Sequence, residues 1–351
     1  MLKQSYPVFL YANFRSNYIH MDYERKSTFK YALCRIAEMI LILLILSMIV
    51  FALSRLCPGD PLRSWYGDGV DRMSAEQKAS ARESLGIEKP LPVQYGIWLK
   101  DLAHGELGLS YKYKRPVTEV IRGVLGNTIV FGLTAYIMTF VLAFRLGRLS
   151  AKREGTKLDR FICKAGVISG NIPVFFLSLI CILIFAVNLR ILPTGGAYSY
   201  GAEGNLLDRA WHLVLPVFVI VIGHLWYYSY MVRNLLLEEM RKEYVLLLKA
   251  EGMPRTRIIN KYCMKNILPP MITIMAIAVP HLLGGTYVVE MVFGYPGLGR
   301  LSFESALYKD YNMLMATTLL TGSVVVISNY LAQIIGEKID PRMCHEEGSY
   351  E

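Results

Sequence analysis

The sequence predicts an all-α polytopic membrane protein with six transmembrane helices. Of its 351 residues, 54% are hydrophobic and 19% are charged, and the mean hydropathy of +0.35 lies on the membrane side of the soluble range. A helix crossing a bilayer takes roughly 20 mostly apolar residues and pairs its backbone amides internally. Six apolar runs come close to this length, at residues 36–53, 124–146, 165–189, 213–232, 267–292 and 313–335.

The orientation follows from Lys and Arg in the short connections, because these residues resist translocation. The connection 148–164 is rich in them, whereas the connection 190–211 holds only Arg190 and Arg209. The former is therefore predicted to be cytoplasmic. Alternation then places both termini, and the connection between the fourth and fifth runs, in the cytoplasm.

The chain is expected to divide into five parts. They are a cytoplasmic tail (1–35), the first span (36–53), a long external segment (54–123), a transmembrane core (124–337) and a second cytoplasmic tail (338–351). No cleavable signal peptide is expected, because the first apolar run lies far from the start and no A-x-A-like site follows it. The polar, aromatic-rich first residues are interpreted as a tail, a membrane-surface helix, or the product of a start codon upstream of Met21.

Several functions are not indicated. The net charge of +10 is dispersed among apolar runs and forms no stripe, so nucleic acid is not an expected partner. Six cysteines without a CxxC pair indicate neither a disulfide framework nor a zinc site. No G-x-x-x-x-G-K-[ST], H-E-x-x-H or G-x-S-x-G occurs, so ATP binding or hydrolytic chemistry in this chain is not expected.

The connection between the fourth and fifth runs reads as helix, elbow, helix. Residues 235–251 contain neither proline nor glycine and predict one continuous helix. Gly252 is expected to end it and Pro254 to begin a second helix that leads into the fifth run. Residues 244–248 form an apolar block wider than a water-facing helix needs. The block either packs on neighbouring spans or docks a separate cytoplasmic protein.

Polar residues within or at the ends of the runs are costly unless they face protein or water. They hydrogen-bond between helices or face a transported solute, and the sequence leaves both open. Proline in "NIP", residues 171–173, frees a backbone carbonyl and predicts a kink toward a cavity. The candidate residues for a translocation path are Asn171, Pro173, His224 and Glu290.

A family resemblance rests on the connection between the fourth and fifth runs. Glu243-Tyr244, Ala250-Glu251-Gly252 and the "NILP" of residues 266–269 resemble the EAA loop of ABC importer permeases. The sequence departs from that pattern at residues 246–248, where leucines replace small or polar residues. The resemblance implies that loop 234–266 couples to an ATPase, with the candidate residues Glu243, Tyr244, Ala250, Gly252, Asn266 and Pro269.

Other motifs place the resemblance in the dipeptide, oligopeptide and nickel branch of these permeases. They are "PGDP" (58–61), an "LGIEKP" to "GELGLS" stretch (85–110), "FGYPGLG" (293–299) preceded by Glu290, the pair Asp310-Tyr311, and "IDPR" (339–342). Each motif alone is turn chemistry of low specificity. Their joint occurrence, in order and at the right distances from the spans, is specific.

The resemblance implies a permease subunit forming half of a translocation path for di- or oligopeptides in a bacterial or archaeal plasma membrane. The implied partners are membrane lipid, a second similar permease, two ATP-binding subunits and an extracytoplasmic solute-binding protein. The chain itself is expected to be no enzyme and to bind no cofactor, with ATP and magnesium on the partner subunits. Nickel chelates are the rival substrate, since permeases for both share these motifs.

Two alternatives of other classes remain at this point. An ion-coupled secondary transporter would favour acidic residues in mid-span, but Glu38 and Glu290 lie near span ends. A non-transporting scaffold would recruit a cytoplasmic partner through the same loop. Solute flux that depends on a partner's ATPase activity distinguishes these alternatives from an ABC permease.

Overall fold

The computed structural model describes residues 33–56, 61–84, 86 and 88–339. This part of the chain is helical. Its α-helices are α1 (Leu33–Leu56), α2 (Pro61–Tyr66), α3 (Ala75–Ser84), α4 (Leu91–Ala103), α5 (Val117–Lys152), α6 (Lys157–Ser169), α7 (Val174–Cys181), α8 (Leu206–Glu239), α9 (Glu243–Ala250), α10 (Arg255–Ile258), α11 (Met264–Val292), α12 (Leu298–Leu307) and α13 (Tyr311–Ile339). A 3₁₀ turn (Gly67–Arg72) follows α2, and π-helical turns follow α7 (Ile182–Asn188) and α10 (Ile259–Cys263).

The chain divides into two compact units, residues 1–49 and residues 50–351. The first contributes the greater part of α1, a helix of high mean hydropathy. All contacts given below lie within the second unit. The predictions for residues 1–32, for most of "PGDP" and for the terminal tail from residue 340 onward fall outside the described residues.

Five described helices are long and apolar enough to cross a membrane, and the count reaches the predicted six if the bent pair α6–α7 is one span. The spans extend beyond the apolar runs, so that α5 begins at Val117 and continues to Lys152. The predicted basic loop 148–164 is consequently wrong as a loop, because only residues 153–156 separate α5 from α6.

The kink predicted at Pro173, within the third run of residues 165–189, is a sharp bend between two helices. The axes of α6 and of the helix from Val174 to Asn188 meet at 112°. Pro173 is extended at the bend (φ −61°, ψ 130°), and its carbonyl accepts the first bonds of α7 from Phe176 and Leu177. Proline has no N–H to continue α6 and disfavours a helical residue before it, so the chain turns there.

The expected continuous helix 235–251 is also wrong. The chain leaves α8 after Glu239 and starts α9 at Glu243, with Lys242 extended between them (ψ 152°). The turn buries Val245 completely and brings Tyr244 back to the Glu239 carboxylate. Burial and a buried hydrogen bond outweigh the modest helix propensity of three intervening residues.

Helix α8 lies at the centre of the helical core and packs against α5, α6, α7 and α11. Its buried side chains include Leu215, Ile220, Val232 and Leu236. The closest approach to α5 is at Gly147, where a Cβ atom would lie 2.6 Å from the Ser229 carbonyl oxygen and from Val232 Cβ. Small residues let membrane helices approach in this way, since lipid gives no hydrophobic drive for their association.

Residues 110–113, before α5, are hydrogen-bonded to Asp310 at the start of α13 and to Glu304 of α12. Ser110 donates to the Asp310 carboxylate, which also accepts the Lys112 backbone N–H at 3.1 Å. Glu304 of α12 accepts hydrogen bonds from the side chains of Lys112, Arg300 and Tyr113. Burial of Glu304 opposes its ionisation, but these donors outweigh it and lower the pKa of the carboxyl to about 2.

Replacing Gly147 by alanine tests the close contact between α5 and α8. We expect Gly147→Ala to destabilise the chain by about 1–3 kcal/mol, because the new methyl group overlaps Ser229 and Val232. Gly126→Ala on the same helix is the control, since its Cβ would meet nothing within 4 Å. Thermal unfolding of the purified chain in detergent measures both, and equal midpoints for the two variants would contradict the contact.

The Glu304 cluster predicts a defined pH dependence of stability. Its folded pKa of about 2 lies below the ordinary glutamate value of about 4.3, so its stabilisation is fully present above the latter. This stabilisation is lost as the pH falls from about 4.3 to about 2. We expect Glu304→Gln to unfold at a lower temperature than wild type at pH 7 and at nearly the same temperature near pH 2. A stability gap independent of pH would show that the carboxylate charge is not what the cluster uses.

Candidate functional site: the α9 surface and the membrane cleft

The apolar block of residues 244–248 divides between two faces of α9. Val245 is fully buried and Leu248 is partly packed against the core. Leu246 and Leu247 point the other way, with 60% and 63% of their surface exposed. The face with Val245 and Leu248 packs on the core, as the first interpretation of the block expects. The face with Leu246 and Leu247 is not covered by the described part of this chain.

The buried face of α9 is held by one carboxylate, that of Glu239 at the end of α8. It accepts hydrogen bonds from Tyr244 Oη at 2.8 Å and Asn266 Nδ2 at 2.7 Å, and Lys242 Nζ lies 2.6 Å from its other oxygen. Burial raises the pKa of Tyr244, and bonds to Cys263 and Glu239 act in the same direction. We call these four residues (239, 242, 244 and 266) the Glu239 joint, because they connect α8, α9 and α11.

The elbow after α9 forms at the predicted glycine. Gly252 has φ +79°, and its N–H donates to the Lys249 carbonyl. This left-handed conformation is accessible to glycine without strain. Pro254 caps α10, and the chain then runs helically from Arg255 to Val292, as the predicted second helix requires. Pro269 lies inside α11.

The remaining predicted loop residues, Glu243 and Ala250, are exposed. Next to them, a groove of about 570 Å³ follows the α10–α11 face and exposes Arg257, Lys261 and Lys265. Cations four residues apart share one side of a helix. The exposed leucines of α9 are therefore flanked by a positively charged helix face.

Two ion pairs missed by the sequence reasoning brace this region. The Arg233 guanidinium forms a bidentate pair with Asp159, at 2.9 and 3.0 Å, and the same carboxylate accepts bonds from Ser150 and Gly155. Arg255 Nη2 donates to the Ala151 carbonyl at 2.9 Å and to Glu154 at 2.5 Å. The sequence showed only that these charged residues lie at the ends of spans. It could not show that Arg233 pairs with Asp159, which is 74 positions away.

A cleft of about 670 Å³ opens in the membrane core where α6 bends into α7. Its walls come from three segments, residues 169–174 at the bend, residues 223–231 of α8 and residues 274–285 of α11. Pro173 and His224, two of the four predicted path residues, line it together with Tyr227, Tyr228 and His281. The walls are mostly apolar with a few polar groups, which is typical of small-molecule sites.

The two polar path candidates at the cleft are differently placed. His224 Nδ1 lies 2.9 Å from the Ile220 carbonyl, and the ring packs at Gly285, where an added Cβ would lie 3.4 Å from Cε1. Asn171 lies in the bend and its side-chain amide donates to the Val167 carbonyl at 3.0 Å. His224 therefore lines the cleft, whereas Asn171 is hydrogen-bonded to the end of α6 and is not among the lining residues.

Glu290, the fourth predicted path residue, does not line this cleft. It is fully buried, accepts from Thr128 Oγ1 at 2.7 Å and from the Gly299 N–H at 2.7 Å, and so caps the first turn of α12. A carboxylate is favourable at a helix N-terminus. A Cβ at Gly297 would overlap this carboxylate, which explains the glycine of the "PGLG" element.

Two family models match the chain. The model "Binding-protein-dependent transport system inner membrane component" matches residues 143–345, more than half of the chain. The corresponding N-terminal model, "Binding-prot-dependent transport system membrane comp, N-term", matches residues 28–134. The two matches together take in every span of the structure.

The chain is similar along almost its whole length to named permeases. It is 34% identical to the oligopeptide transport system permease protein AppB of Bacillus subtilis, over 89% of this chain and 98% of that protein. It is 29% identical to the dipeptide transport system permease protein DppB of Alkalihalophilus pseudofirmus, over the same shares. A chain of the inward-facing MetNI methionine ABC transporter aligns with a TM-score of 0.48 at 22% identity, over 63% of this chain and 95% of that one.

Matches to both family models and the resemblance to full-length permeases agree with the order of motifs along the sequence. The chain therefore belongs to the family of binding-protein-dependent transport system inner-membrane components, the multi-pass permease subunits of ABC importers.

Proposed function

We propose that this chain forms half of the translocation path of an ATP-driven peptide importer, and that α9 transmits the movement of the ATP-binding subunits to the spans. The observation that carries the proposal is the two-faced α9: its inner face is fixed to two spans through the Glu239 joint, and its outer face exposes Leu246 and Leu247. A helix fixed on one side and apolar on the other suits a socket on a second protein.

The socket is assigned to an ATP-binding subunit, which also binds ATP and magnesium. Leu246 and Leu247 enter an apolar pocket of that subunit, and Arg257, Lys261 and Lys265 face acidic groups at its rim. This arrangement requires α9 to be cytoplasmic, as the Lys and Arg distribution predicts. Both termini then lie in the cytoplasm, and the segment carrying α2–α4 lies outside, where it is available to a solute-binding protein.

Movement of α9 reaches the cleft through covalently continuous and hydrogen-bonded elements. The helical run from Arg255 to Val292 carries displacement into residues 274–285, which form one wall of the cleft. The Glu239 joint carries the same displacement into α8, whose residues 223–231 form the second wall. The third wall lies at the bend around Pro173, between α6 and α7. Moving two walls against the third opens and closes the cleft, as in hinge and shear transitions.

The complete transporter contains a second similar permease facing this one, two ATP-binding subunits and a solute-binding protein. Among the described helices, the cleft walls come from α6, α7, α8 and α11. In the proposed transporter these helices line one side of the path, and the second permease lines the other. The complex is assigned to a bacterial or archaeal plasma membrane, with lipid around the spans. Glu290 is assigned to holding α12 and the "PGLG" turn, in place of the predicted contact with solute.

Peptides are the proposed substrate because AppB and DppB, which resemble this chain over its length, are named oligopeptide and dipeptide permeases. A specific observation favours nickel chelates as the second candidate: His224, His281 and Met231 all line the cleft. Imidazole and thioether are ligands that nickel and related metals accept. The mostly apolar wall with two tyrosines fits peptide side chains better.

Replacing Leu247 by serine tests the docking face. We expect Leu247→Ser to weaken capture of the ATP-binding subunits at least tenfold and to reduce ATP-dependent uptake in proportion, because an interface anchor loses its apolar side chain. The measurement is pull-down and dipeptide uptake by the co-expressed complex in liposomes.

The matched control is Leu207→Ser, which removes a leucine that is also exposed (83% against 63% for Leu247). Leu207 lies at the start of α8, about 50 Å along that helix from the end that leads into α9. Leu207→Ser is expected to leave capture of the ATP-binding subunits unchanged. Uptake that continues without ATP would instead favour a secondary transporter, and capture without any uptake would favour a scaffold.

The substrate is decided by competition in the same liposomes. We expect ATP-dependent uptake of a labelled dipeptide to exceed uptake of a nickel–histidine chelate, and unlabelled chelate to compete weakly. We further expect His224→Ala to change the apparent affinity for dipeptide by less than tenfold, since the cleft walls are mostly apolar and His224 is one of several polar groups in them. Preferential nickel uptake that His224→Ala abolishes would move the assignment to the nickel branch.

A further inference from the structure

A second cavity lies outside the membrane cleft, among the helices that precede α5. It has a volume of about 540 Å³, within the range of small-molecule sites. Its walls come from the end of α1, from α2, α3 and α4, from residues 106–111 and from the start of α13. Neither the cleft nor the α9 surface shares a residue with it.

The Arg55 side chain is among the groups that line this cavity. Nε and Nη1 of Arg55 are buried and have no hydrogen-bond acceptor among the described residues. The rings of Phe51 and Tyr311 lie beside the guanidinium carbon, at 5.3 and 5.5 Å from their centroids. Such cation–π contacts stabilise the faces of the group, but they leave its N–H donors unused.

Asp310, near this cavity, accepts hydrogen bonds from other donors. It accepts the Ser110 hydroxyl and the Lys112 N–H on one oxygen and the Met313 N–H on the other. Burial raises the pKa of Tyr111, and the charge of Arg55 acts against that rise. A buried, charged donor without an acceptor is costly, and native structures normally provide one.

Three carboxylates also line the cavity, the exposed Glu83 and Glu106 and the half-buried Asp101, together with the exposed Lys89. Trp65 and Trp98 are among the aromatic lining residues. Tyr111 packs edge-on against both Trp65, at 5.5 Å between centroids, and Tyr311, at 6.3 Å. The cavity therefore combines cationic groups, three carboxylates and flat aromatic surfaces.

We propose that this cavity binds a zwitterion, with its oxyanion on Arg55 and its ammonium group on the lining carboxylates Glu83, Asp101 and Glu106. A planar guanidinium forms paired hydrogen bonds with carboxylate or phosphate oxygens. The oxyanion of the ligand supplies the acceptor that Nε and Nη1 of Arg55 lack among the described residues. Two sources carry this chemistry, a short peptide with free termini and a phosphatidylethanolamine headgroup. The site is independent of the proposed transport path, because it shares no lining residue with the cleft.

The test uses the purified full chain in phosphatidylcholine nanodiscs, without ATP or partner subunits. In one arm, the dipeptide alanyl-phenylalanine is titrated while tryptophan fluorescence is followed, since Trp65 and Trp98 line the cavity. In the other arm, nanodiscs contain increasing phosphatidylethanolamine, and native mass spectrometry counts the retained headgroups. Saturable binding in either arm supports the site and identifies the source.

Arg55→Gln is expected to weaken binding at least tenfold, as loss of a charge-assisted pair implies. In the peptide arm, amidating the carboxyl terminus should weaken binding to wild type by a similar factor and have little further effect on Arg55→Gln. Arg63→Gln is the matched control, because Arg63 is exposed and paired with Asp71. Arg55→Lys keeps the charge and should retain part of the affinity, which separates loss of the anion contact from misfolding.

Equal binding to wild type and Arg55→Gln in both arms, or no saturable binding in either, would overturn the proposal and leave a cavity that holds only water. These outcomes are independent of transport. The importer assignment is tested by ATP-dependent uptake in the full complex. The Arg55 site is tested by ligand binding to the purified chain without ATPase subunits, so each proposal can fail without the other.

Discussion

The carboxylate of Glu239 is the interaction on which the coupling geometry depends. It is almost completely buried, and it is the acceptor for groups from the turn after α8, from α9 and from α11. Removing this acceptor would break all three contacts at once. Because three elements converge on one carboxylate, α9 cannot tilt without drawing on both α8 and α11.

A second buried carboxylate, that of Glu290, organises the other end of α11. It closes the first turn of α12 through the Gly299 N–H and reaches α5 through Thr128, while Asn127 binds the Pro296 carbonyl at 2.7 Å. Helix α11 therefore carries an anchored acid at its end and an amide anchor, Asn266, near its start. The segment between these anchors holds Pro280 and the cleft wall. A helix pinned near both ends transmits displacement applied at one of them, provided that the hydrogen bonds hold.

Much of the architecture followed from local pattern. Apolar runs of bilayer length predicted the spans, and a glycine followed by proline predicted the elbow at Gly252, which the left-handed φ confirms. The proline of "NIP" predicted a kink in the third span, but only the structure gives its size of 112°. The continuous helix 235–251 was wrong, because it breaks at residues 240–242, where tertiary burial of Val245 outweighs propensity. Propensity is worth a few tenths of a kcal/mol per residue, and burial of one side chain is worth more.

The candidate residues show the same division. Pro173 and His224 were found from polarity and kinking within apolar runs, and both line the cleft. Glu290 satisfied the same criteria but forms a structural bond, since an intramembrane carboxylate has the same sequence signature whether it faces solute or a helix end. Asp159, Arg233 and Glu239 carried no local signal, because their partners lie on other helices.

The sequence by itself determined the class of the protein, the positions of its apolar runs, the lack of a nucleotide-binding motif, and the family to which its ordered motifs belong. These properties depend on composition, length and short spacing, which are local. The tertiary structure alone decided which face of α9 remains exposed, which carboxylates are buried, and that Arg55 points its donors into a cavity. Those properties depend on contacts between residues far apart in the chain, and the free energy of such contacts is not encoded at any single position.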